Sequence, residues 1–506
     1  MEKYDVVIVG SGLGGLVSAV LLGKEGYKVL VLEKNKQIGG NLQVFSRDQK
    51  IFDTGIHYIG GLDKGENLYR YFKYLGIMDD LRLKRLDNDG FDVVTFEDDP
   101  VEYKYAQGYD NFVEVMSSYF PEERAGIEKY INEIREVCEN FPMYKLEPSV
   151  DIIDKMEVLE MSAKDFINSC TDNPKLQKVL AGTNALYAGD GAKTPFYMHA
   201  LVINSYLESS WRCLDGSSRI AISLARIIRR SGGAVLKNAE AVKFNFEDKN
   251  ITSVQLADGR EFTGDIFISN LHPSLTLDMV EPDKMRKAYY KRIKNLENSV
   301  SIFIVYLSLK KDTVPYFNYN YYHHIDDDVW DNANYNDRWP PSYAAFCGAT
   351  SKNPEYAETI IVMSYMRYEE TQKWENSFNT TSSESDRGEG YEEFKKIKAE
   401  KIIDEFEKKF PNIRENMEGY YTSTPLTYRD YTATPTGSVY GVSKDAKDPL
   451  RTFISPKTKV PNLYLTGQNL NMHGVLGVTI SAVKTCSEIL GNNKLIEKIA
   501  SETEEV

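Results

Sequence analysis

The feature that most constrains the fold is a glycine-rich turn between two short apolar runs near the N-terminus. The run Asp5–Val9 is rich in β-branched residues and predicts a buried parallel strand. Gly10–Gly15 interrupts that run, and apolar residues then recur at helical spacing as far as Gly26. Val29–Leu32 predicts a second strand, which ends at Glu33. This strand–helix–strand unit predicts an α/β fold with a parallel sheet.

The glycines of this turn have the spacing of a dinucleotide-binding fingerprint. Gly10 permits the tight turn, Gly12 lets the backbone approach a pyrophosphate, and Gly15 lets the helix pack on the strand. The N-terminus of the helix offers free N–H groups to the phosphates, and the acid that ends the second strand is placed to accept bonds from ribose hydroxyls. The predicted nucleotide contacts of this unit are Gly10, Gly12, Leu13, Gly14, Gly15, Glu33 and Lys34.

Two observations favour FAD over a nicotinamide dinucleotide. A second glycine pair, Gly39 and Gly40, precedes Asn41 and would bring another backbone stretch to a long, extended dinucleotide. A simple nicotinamide dehydrogenase would complete its sheet within one contiguous half, whereas further strands of this kind return only after residue 215 and again after residue 460. No cysteine lies in a context typical of covalent flavin attachment, so we expect non-covalent FAD.

The chain is long enough for two domains. Stretches that predict a parallel α/β sheet alternate with stretches of a different sequence pattern. We predict an α/β fold (α+β overall) in which three segments, 1–85, 215–290 and 455–506, form a Rossmann-like FAD-binding domain. Residues 86–214 and 291–454 would supply an inserted substrate-binding domain.

Composition excludes several classes of function. The formal net charge of −14 disfavours nucleic acid and simple electrostatic docking on anionic lipid. A hydrophobic entry patch could still make peripheral membrane contact. No window has about 18 uninterrupted apolar residues and no leader precedes the first strand, so we expect a cytoplasmic protein. The oligomeric state is not predicted.

Metal ligands are not predicted anywhere in the chain. Its five cysteines are scattered and none forms a CxxC pair. His323 and His324 precede Asp326–Asp328, but this spacing matches no ligand pattern. We interpret that segment as a solvated acidic loop.

Several further segments carry a family resemblance. With the glycine turn and Glu33, they resemble the phytoene desaturase, carotenoid isomerase and retinol saturase family of FAD-dependent oxidoreductases over nearly the whole chain. The first of them looks closest to the retinol saturase and carotenoid isomerase branch. The segments are Phe52–Gly61, Leu214–Ser218, Thr424–Tyr428, Gly437–Gly441, Asn462–Gln468 and Gly474–Val478.

The resemblance implies an amine oxidase/phytoene desaturase-like architecture and particular cofactor contacts. The backbone of Val242 should meet the adenine end of FAD, and Gly467 and Gln468 should lie near the ribityl chain and pyrophosphate. A helix starting near Gly477 and Val478 should point its N-terminus at the flavin pyrimidine, where its dipole would stabilise the charge of reduced flavin.

The resemblance also places His57, Tyr58 and His473 near the flavin ring, and we take them as candidate catalytic residues. Histidine donates protons near neutral pH without a large pKa shift. Two of them have structural alternatives: His57 can hold the Gly55–Gly61 loop by hydrogen bonds, and Tyr58 can be a wall of the cavity.

The function that the resemblance implies is saturation or isomerisation of C=C bonds in an apolar polyene, a retinoid- or carotenoid-like lipid. The content of 34 Tyr and 22 Phe suits a pocket for such a ligand. Two oxidative alternatives stay open, desaturation of a carotenoid precursor and amine oxidation. A flavin-free carrier of lipids or prenyl groups is the non-enzyme alternative. NAD(P)H is a possible reductant, although no second fingerprint for it is visible.

Overall fold

The computed structural model describes residues 3–148, 159–326, 328–335, 338–381 and 385–504. In chain order its strands are β1 (Tyr4–Val9), β2 (Val29–Leu32), β3 (Val44–Arg47), β4 (Lys50–Asp53), β5 (Ile59–Gly60), β6 (Leu83–Arg85), β7 (Asp92–Phe96), β8 (Asp99–Tyr105), β9 (Ser210–Cys213), β10 (Ala234–Leu236), β11 (Ala241–Glu247), β12 (Asn250–Leu256), β13 (Glu261–Ser269), β14 (Ser301–Leu309), β15 (Asn320–His324), β16 (Ser342–Cys347), β17 (Thr359–Met366), β18 (Met417–Ser423) and β19 (Leu463–Leu465).

The helices lie mainly between the strands and at the C-terminus. None of those described is long and apolar enough to cross a membrane. In chain order they are Leu13–Lys24, Asn67–Leu75, Tyr109–Tyr119, Arg124–Glu139, Ala163–Cys170, Pro174–Leu180, Phe196–Glu208, Ser218–Arg230, Pro273–Asp278, Lys287–Lys294, Glu389–Lys409, Pro425–Thr432, Pro449–Thr452, Gly474–Leu490 and Lys494–Glu502.

The first seven-stranded sheet contains the predicted strand–helix–strand unit. Its order is β10-β2-β1-β13-β12-β11, and β19 also pairs with β13. Strands β10, β2, β1, β13 and β19 run parallel. All four residues of β2 are buried, because helices cover this part of the sheet and leave neither face to solvent. The predicted α/β class is confirmed.

Strand β13 differs from the sequence-based expectation. The sequence predicts two short strands on either side of Gly264, whereas the structure has one strand of nine residues. A Cβ at Gly264 would lie 2.9 Å from the Val7 side chain on β1, so glycine is needed there for close packing. The strand joins two kinds of pairing, antiparallel with β12 and parallel with β1.

The second seven-stranded sheet has the order β18-β14-β17-β16-β15-β7-β8. All nine residues of β14 are buried, and an aromatic and aliphatic cluster on one face includes Tyr321, Tyr343 and Phe406. His323 and His324 lie at the end of β15 and are only 1% and 4% exposed. The expectation that these histidines begin a solvated loop is therefore wrong. Asp327 lies outside the described residues.

The strands of the two large sheets come from different parts of the chain. Every strand of the first sheet lies within 1–85, 215–290 or 455–506, and every strand of the second lies within 86–214 or 291–454. This arrangement supports the division into two domains, which remains our prediction.

Candidate active site

A cavity of about 490 Å³ extends from the glycine-rich turn after β1 to side chains of the second sheet. It lies outside the carboxyl ends of parallel strands, where open α/β sheets bind their ligands. Most of the residues predicted from the sequence meet on its wall. They are Gly10, Gly12, Leu13, Gly14, Glu33, Lys34, Gly39, Gly40, Asn41, His57, Tyr58, Val242, Gly467, Gln468 and Val478.

Three predicted residues do not line this cavity. Gly15 lies against the carbonyl oxygen of Gly10, where a side chain would collide, so it serves helix packing as the fingerprint requires. Gly477 packs on Met472 and lines a smaller neighbouring cavity. His473 is 7% exposed and stacks on Tyr440, with ring centroids 4.3 Å apart.

The glycine-rich end of the cavity is a cradle made from three backbone segments around Asn270. A Cβ at Gly12 would lie 2.7 Å from Nδ2 of Asn270, and one at Gly14 would lie 2.6 Å from its Oδ1. Gly467 approaches the same amide, and a Cβ at Gly40 would lie 3.3 Å from the Cα of Gly12. Glycine is required wherever backbone must come this close to backbone or ligand.

Two helices begin at this cavity without a side-chain cap. The first is Leu13–Lys24, with Gly12 as its N-cap residue. The second is Gly474–Leu490, which follows His473. The first amides of a helix have no acceptor within the helix, so both ends offer N–H groups and partial positive charge to an anion. The second helix begins at Gly474, which corrects the predicted start near Gly477 and Val478.

Glu33 is held in place at the end of β2. One carboxylate oxygen accepts from the Ser11 backbone N–H at 3.1 Å and from the Ser11 hydroxyl at 2.5 Å. The other accepts from the Asn35 N–H at 2.8 Å. Glu33 is 6% exposed and lines the cavity. A carboxylate oxygen accepts more than one bond, so Glu33 retains capacity for a ribose hydroxyl.

The other end of the cavity is a chamber walled mainly by aromatic rings. The His57 ring stacks on Phe346 with centroids 4.6 Å apart, and Tyr58 packs on Tyr206 at 4.3 Å. Such rings offer a large apolar surface to a flat, apolar ligand. The aromatic residues that line the cavity include Tyr58, Tyr206, Tyr322, Phe346, Tyr365, Tyr428 and Tyr440.

The candidate histidines are neutral at pH 7. Burial, with a smaller effect of Arg212, lowers the pKa of His57 to about 3. Burial, with a smaller effect of Lys444, lowers the pKa of His473 to about 3. The expectation that these residues donate protons near neutral pH without a large pKa shift is therefore wrong. Tyr58 keeps its proton, because burial raises its pKa well above the usual value.

Sequence reasoning missed several residues of the wall. Asn270 directly follows β13 and its N–H donates to the carbonyl of Val9, so its place after a central parallel strand was a usable signal. Tyr206, Phe346 and Tyr365 come from one helix and two strands that are remote in sequence. No local pattern marks them as neighbours.

The residues present fit FAD. The uncapped helix ends and the glycine cradle suit a pyrophosphate. Both ring nitrogens of His57 are buried without a hydrogen-bond partner, although the residue lines the cavity. Buried polar atoms are rarely left unpaired in the functional state, so these nitrogens also fit a polar ligand beside them.

Comparison with known proteins gives the same assignment. The family model described as flavin containing amine oxidoreductase matches residues 13–490. The human all-trans-retinol 13,14-reductase is 29% identical, with 97% of this chain and 86% of that protein covered. The chloroplastic prolycopene isomerase 1 of an Oncidium hybrid cultivar is 26% identical, with 99% and 86% covered.

The fold also has counterparts among solved structures. The crystal structure of an oxidoreductase from Methanosarcina mazei superposes with a TM-score of 0.64 at 16% identity, and the match covers 96% of this chain and 100% of that one. The likeness at this identity concerns the fold. Because the family model spans nearly the whole chain, this protein belongs to the flavin-containing amine oxidoreductase family and is an oxidoreductase that uses FAD.

Proposed function

We propose that the protein saturates or isomerises C=C bonds of an apolar polyene with bound FAD. The observation that carries the proposal is the single cavity that joins the dinucleotide cradle to the aromatic chamber. A rigid conjugated chain fits between flat aromatic walls, which bury its surface without requiring polar partners. Likeness to a retinol reductase and a prolycopene isomerase supports this substrate class.

Different residues of the cavity bind the cofactor and the substrate. Bound flavin supplies the hydride chemistry. The glycine cradle and the two helix ends bind its phosphates, and Glu33 orients a ribose. Tyr206, Phe346 and Tyr440 hold the substrate and exclude water, which favours clean transfer between cofactor and substrate.

Amine oxidation fits this cavity less well. An amine substrate is a cation at neutral pH, and without an acidic partner only cation–π contacts with the aromatic rings would stabilise it when buried. Among the described residues of the wall, the acidic ones are Glu33, Glu240 and Asp278, and Glu33 and Glu240 lie beside the nucleotide-binding strands. No acidic residue of the described chain lines the aromatic chamber.

The experiment is to photoreduce the holoenzyme without oxygen and then add candidate substrates. We expect a polyene such as retinol or a carotene either to reoxidise the flavin and be reduced, or to be isomerised without net reduction. Mass analysis of the polyene separates the two results. A primary amine added to the oxidised enzyme is the matched control and should leave the flavin oxidised. Bleaching by the amine, with no response to any polyene, contradicts the proposal.

The electron donor and the route of substrate entry stay predictions. Photoreduction bypasses the donor, so the experiment does not depend on whether NAD(P)H reduces the flavin. Peripheral membrane contact is consistent with an apolar substrate, and co-flotation with neutral lipid vesicles is its test.

A further inference from the structure

A buried chain of hydrogen bonds lies behind the aromatic wall. The Arg212 guanidinium donates to Oδ1 of Asn320 at 2.7 Å, and Nδ2 of Asn320 donates to Oδ1 of Asp92 at 2.7 Å. The Tyr58 hydroxyl donates to Oδ2 of Asp92 at 2.9 Å, and the hydroxyls of Tyr58 and Tyr322 lie 2.7 Å apart. Tyr58 and Tyr322 line the cavity, so the chain runs from a buried acid to the substrate chamber.

Asp92 is an unusual carboxyl because it is 1% exposed and forms no direct ion pair with any residue that the structure describes. Arg212 is also 1% exposed, and Asn320 separates it from Asp92. Burial raises the pKa of Asp92 to about 7, although its hydrogen bonds and Arg212 oppose the shift. Asp92 therefore exchanges a proton near neutral pH. The titratable, charged or hydrogen-bonding groups around it are Tyr58, Tyr105, Tyr206, Arg212, Asn320 and Tyr322.

The amide of Asn320 fixes where the exchangeable proton sits. Its oxygen accepts from Arg212, so its nitrogen must donate to Oδ1 of Asp92. Oδ2, which faces Tyr58, is the oxygen left to carry the proton. Arg212 is itself fixed by bonds to Tyr316 and to the backbone of Phe317 and Tyr319.

The protonation state of Asp92 sets the direction of the two remaining hydrogen bonds. Each tyrosine hydroxyl has one proton to donate. When Asp92 is ionised, Tyr58 donates to it and Tyr322 donates to Tyr58, so neither proton points into the cavity. When Asp92 is protonated, it donates to Tyr58 and Tyr58 donates to Tyr322. The proton of the Tyr322 hydroxyl is then free for the cavity.

We propose that Asp92, Tyr58 and Tyr322 form a proton-delivery chain for saturation of a C=C bond. The inference rests on the proposed function. Bound reduced flavin would supply a hydride to one carbon of the double bond, and Tyr322 donates its proton to the other, so the π bond is replaced by two C–H bonds. Tyr322 regains a proton from Tyr58, and Tyr58 from Asp92. The carboxylate recovers its proton from water that enters the cavity after product release.

The first test compares Tyr322→Phe and Tyr58→Phe with Tyr321→Phe. Tyr321 is a matched control: it precedes Tyr322 on β15 but does not line the cavity, and its ring contacts Tyr343 and Phe410 on the other face of the second sheet. We expect reoxidation of reduced flavin by the polyene to slow by about 100-fold in the two chain variants, as for loss of a general acid. The control should stay within about threefold of the wild-type rate.

The second test needs no turnover. Infrared difference spectra of the wild-type holoenzyme between about pH 5 and about pH 9 should contain a protonated carboxyl band that disappears with an apparent pKa near the raised value of Asp92. Asp53 and Glu208 also have raised pKa values, so part of this band belongs to them. Asp92→Asn should remove only the component that titrates with Asp92. FAD content, read from the visible spectrum, should match the wild type in every variant, because none of these residues belongs to the dinucleotide cradle.

The outcomes separate this inference from the proposed function. If wild-type enzyme reduces a polyene and both chain variants react at the control rate, the proton-delivery chain is overturned and the proposed function stands. If the enzyme isomerises polyenes without reducing them, the proton-delivery chain is likewise overturned and the proposed function stands, since no proton is then consumed. If no polyene reacts with the wild type, the proposed function fails. If Asp92→Asn removes no component of the wild-type carboxyl band, the proton-delivery chain is overturned on its own.

Discussion

At the scale of single residues, Glu33 shows how the cofactor site is organised before any ligand binds. Its two oxygens accept hydrogen bonds from Ser11, which follows β1, and from Asn35, which follows β2. These bonds fix the carboxylate where β2 ends. A ribose hydroxyl that meets it therefore finds an acceptor that is already oriented.

Glu33→Gln should weaken FAD binding. The amide would turn an N–H group toward donors that now face a carboxylate oxygen, and the charge-assisted bonds would be lost. Losing about 1.5–3 kcal/mol corresponds to roughly a ten- to hundredfold rise in Kd. Quenching of flavin fluorescence during titration of the apoprotein measures it. Glu247→Gln, at an exposed position on β11, is the control; equal Kd values for both variants would contradict the assignment.

The sequence predicted single residues well where a local pattern constrains them. The three fingerprint glycines and Glu33 are set by a strand, a turn and a helix that are contiguous in the chain, and the structure brings them together. The contacts of Asp92 and Tyr322 with Tyr58 were not predicted, because these two residues lie 34 and 264 positions from Tyr58 in the sequence. Neither position carries a local signal for that contact.

At the scale of elements, the helix Leu13–Lys24 connects the fold to the cofactor. Its first turn faces the cradle, and ten of its residues, from Leu13 to Leu22, are buried. The close approach of Gly14 to Asn270 and Gly467 leaves no space for a methyl group at the start of this helix.

Gly14→Ala should abolish tight FAD binding without unfolding the protein. The new Cβ would lie 2.6 Å from Oδ1 of Asn270 and 3.0 Å from the backbone of Gly467, which forces the three segments of the cradle apart. Gly23→Ala on the same helix is the control, since its nearest neighbour would be the Ser231 Cβ at 3.4 Å. FAD content after purification and circular dichroism check the prediction. A Gly14→Ala protein with full FAD content would refute it.

Element boundaries were less predictable than element types. The sequence places the start of the C-terminal helix near Gly477, but the helix begins at Gly474, where φ is +75°. Glycines at both ends of the first turn and an N-cap without a side-chain bond hide the usual start signal. The expectation of a solvated loop at His323 and His324 was wrong because it followed the acidic residues after them. The aromatic run before them is buried by strands that are distant in sequence.

At the scale of the whole molecule, the buried histidines should make the protein sensitive to acid. Burial is the largest cause of a lowered pKa, to about 3 or 4, in every one of the six histidines of the chain. Burial raises the pKa of several carboxyls, most strongly in Asp53, to about 6, and in Asp92 and Glu208, to about 7. The histidines take up protons on unfolding, and the carboxyls release them.

The free energy of unfolding should fall as the pH drops from about 6.5 to about 4. In this range the unfolded chain binds up to six more protons on histidine, which the loss of protons from Asp53, Asp92 and Glu208 offsets in part. Each net proton contributes about 1.4 kcal/mol per pH unit. Urea unfolding midpoints at several pH values in this window measure the effect. Midpoints that stay constant or rise on acidification would contradict it.

The β1 turn and its neighbouring helix end should bind FAD without a covalent bond. The visible absorbance spectrum of the purified protein tests this directly, before and after denaturation. We expect a flavin spectrum corresponding to one FAD per chain, and free FAD in the supernatant once the protein is precipitated. A folded protein that is colourless and takes up no FAD from an excess would contradict the claim.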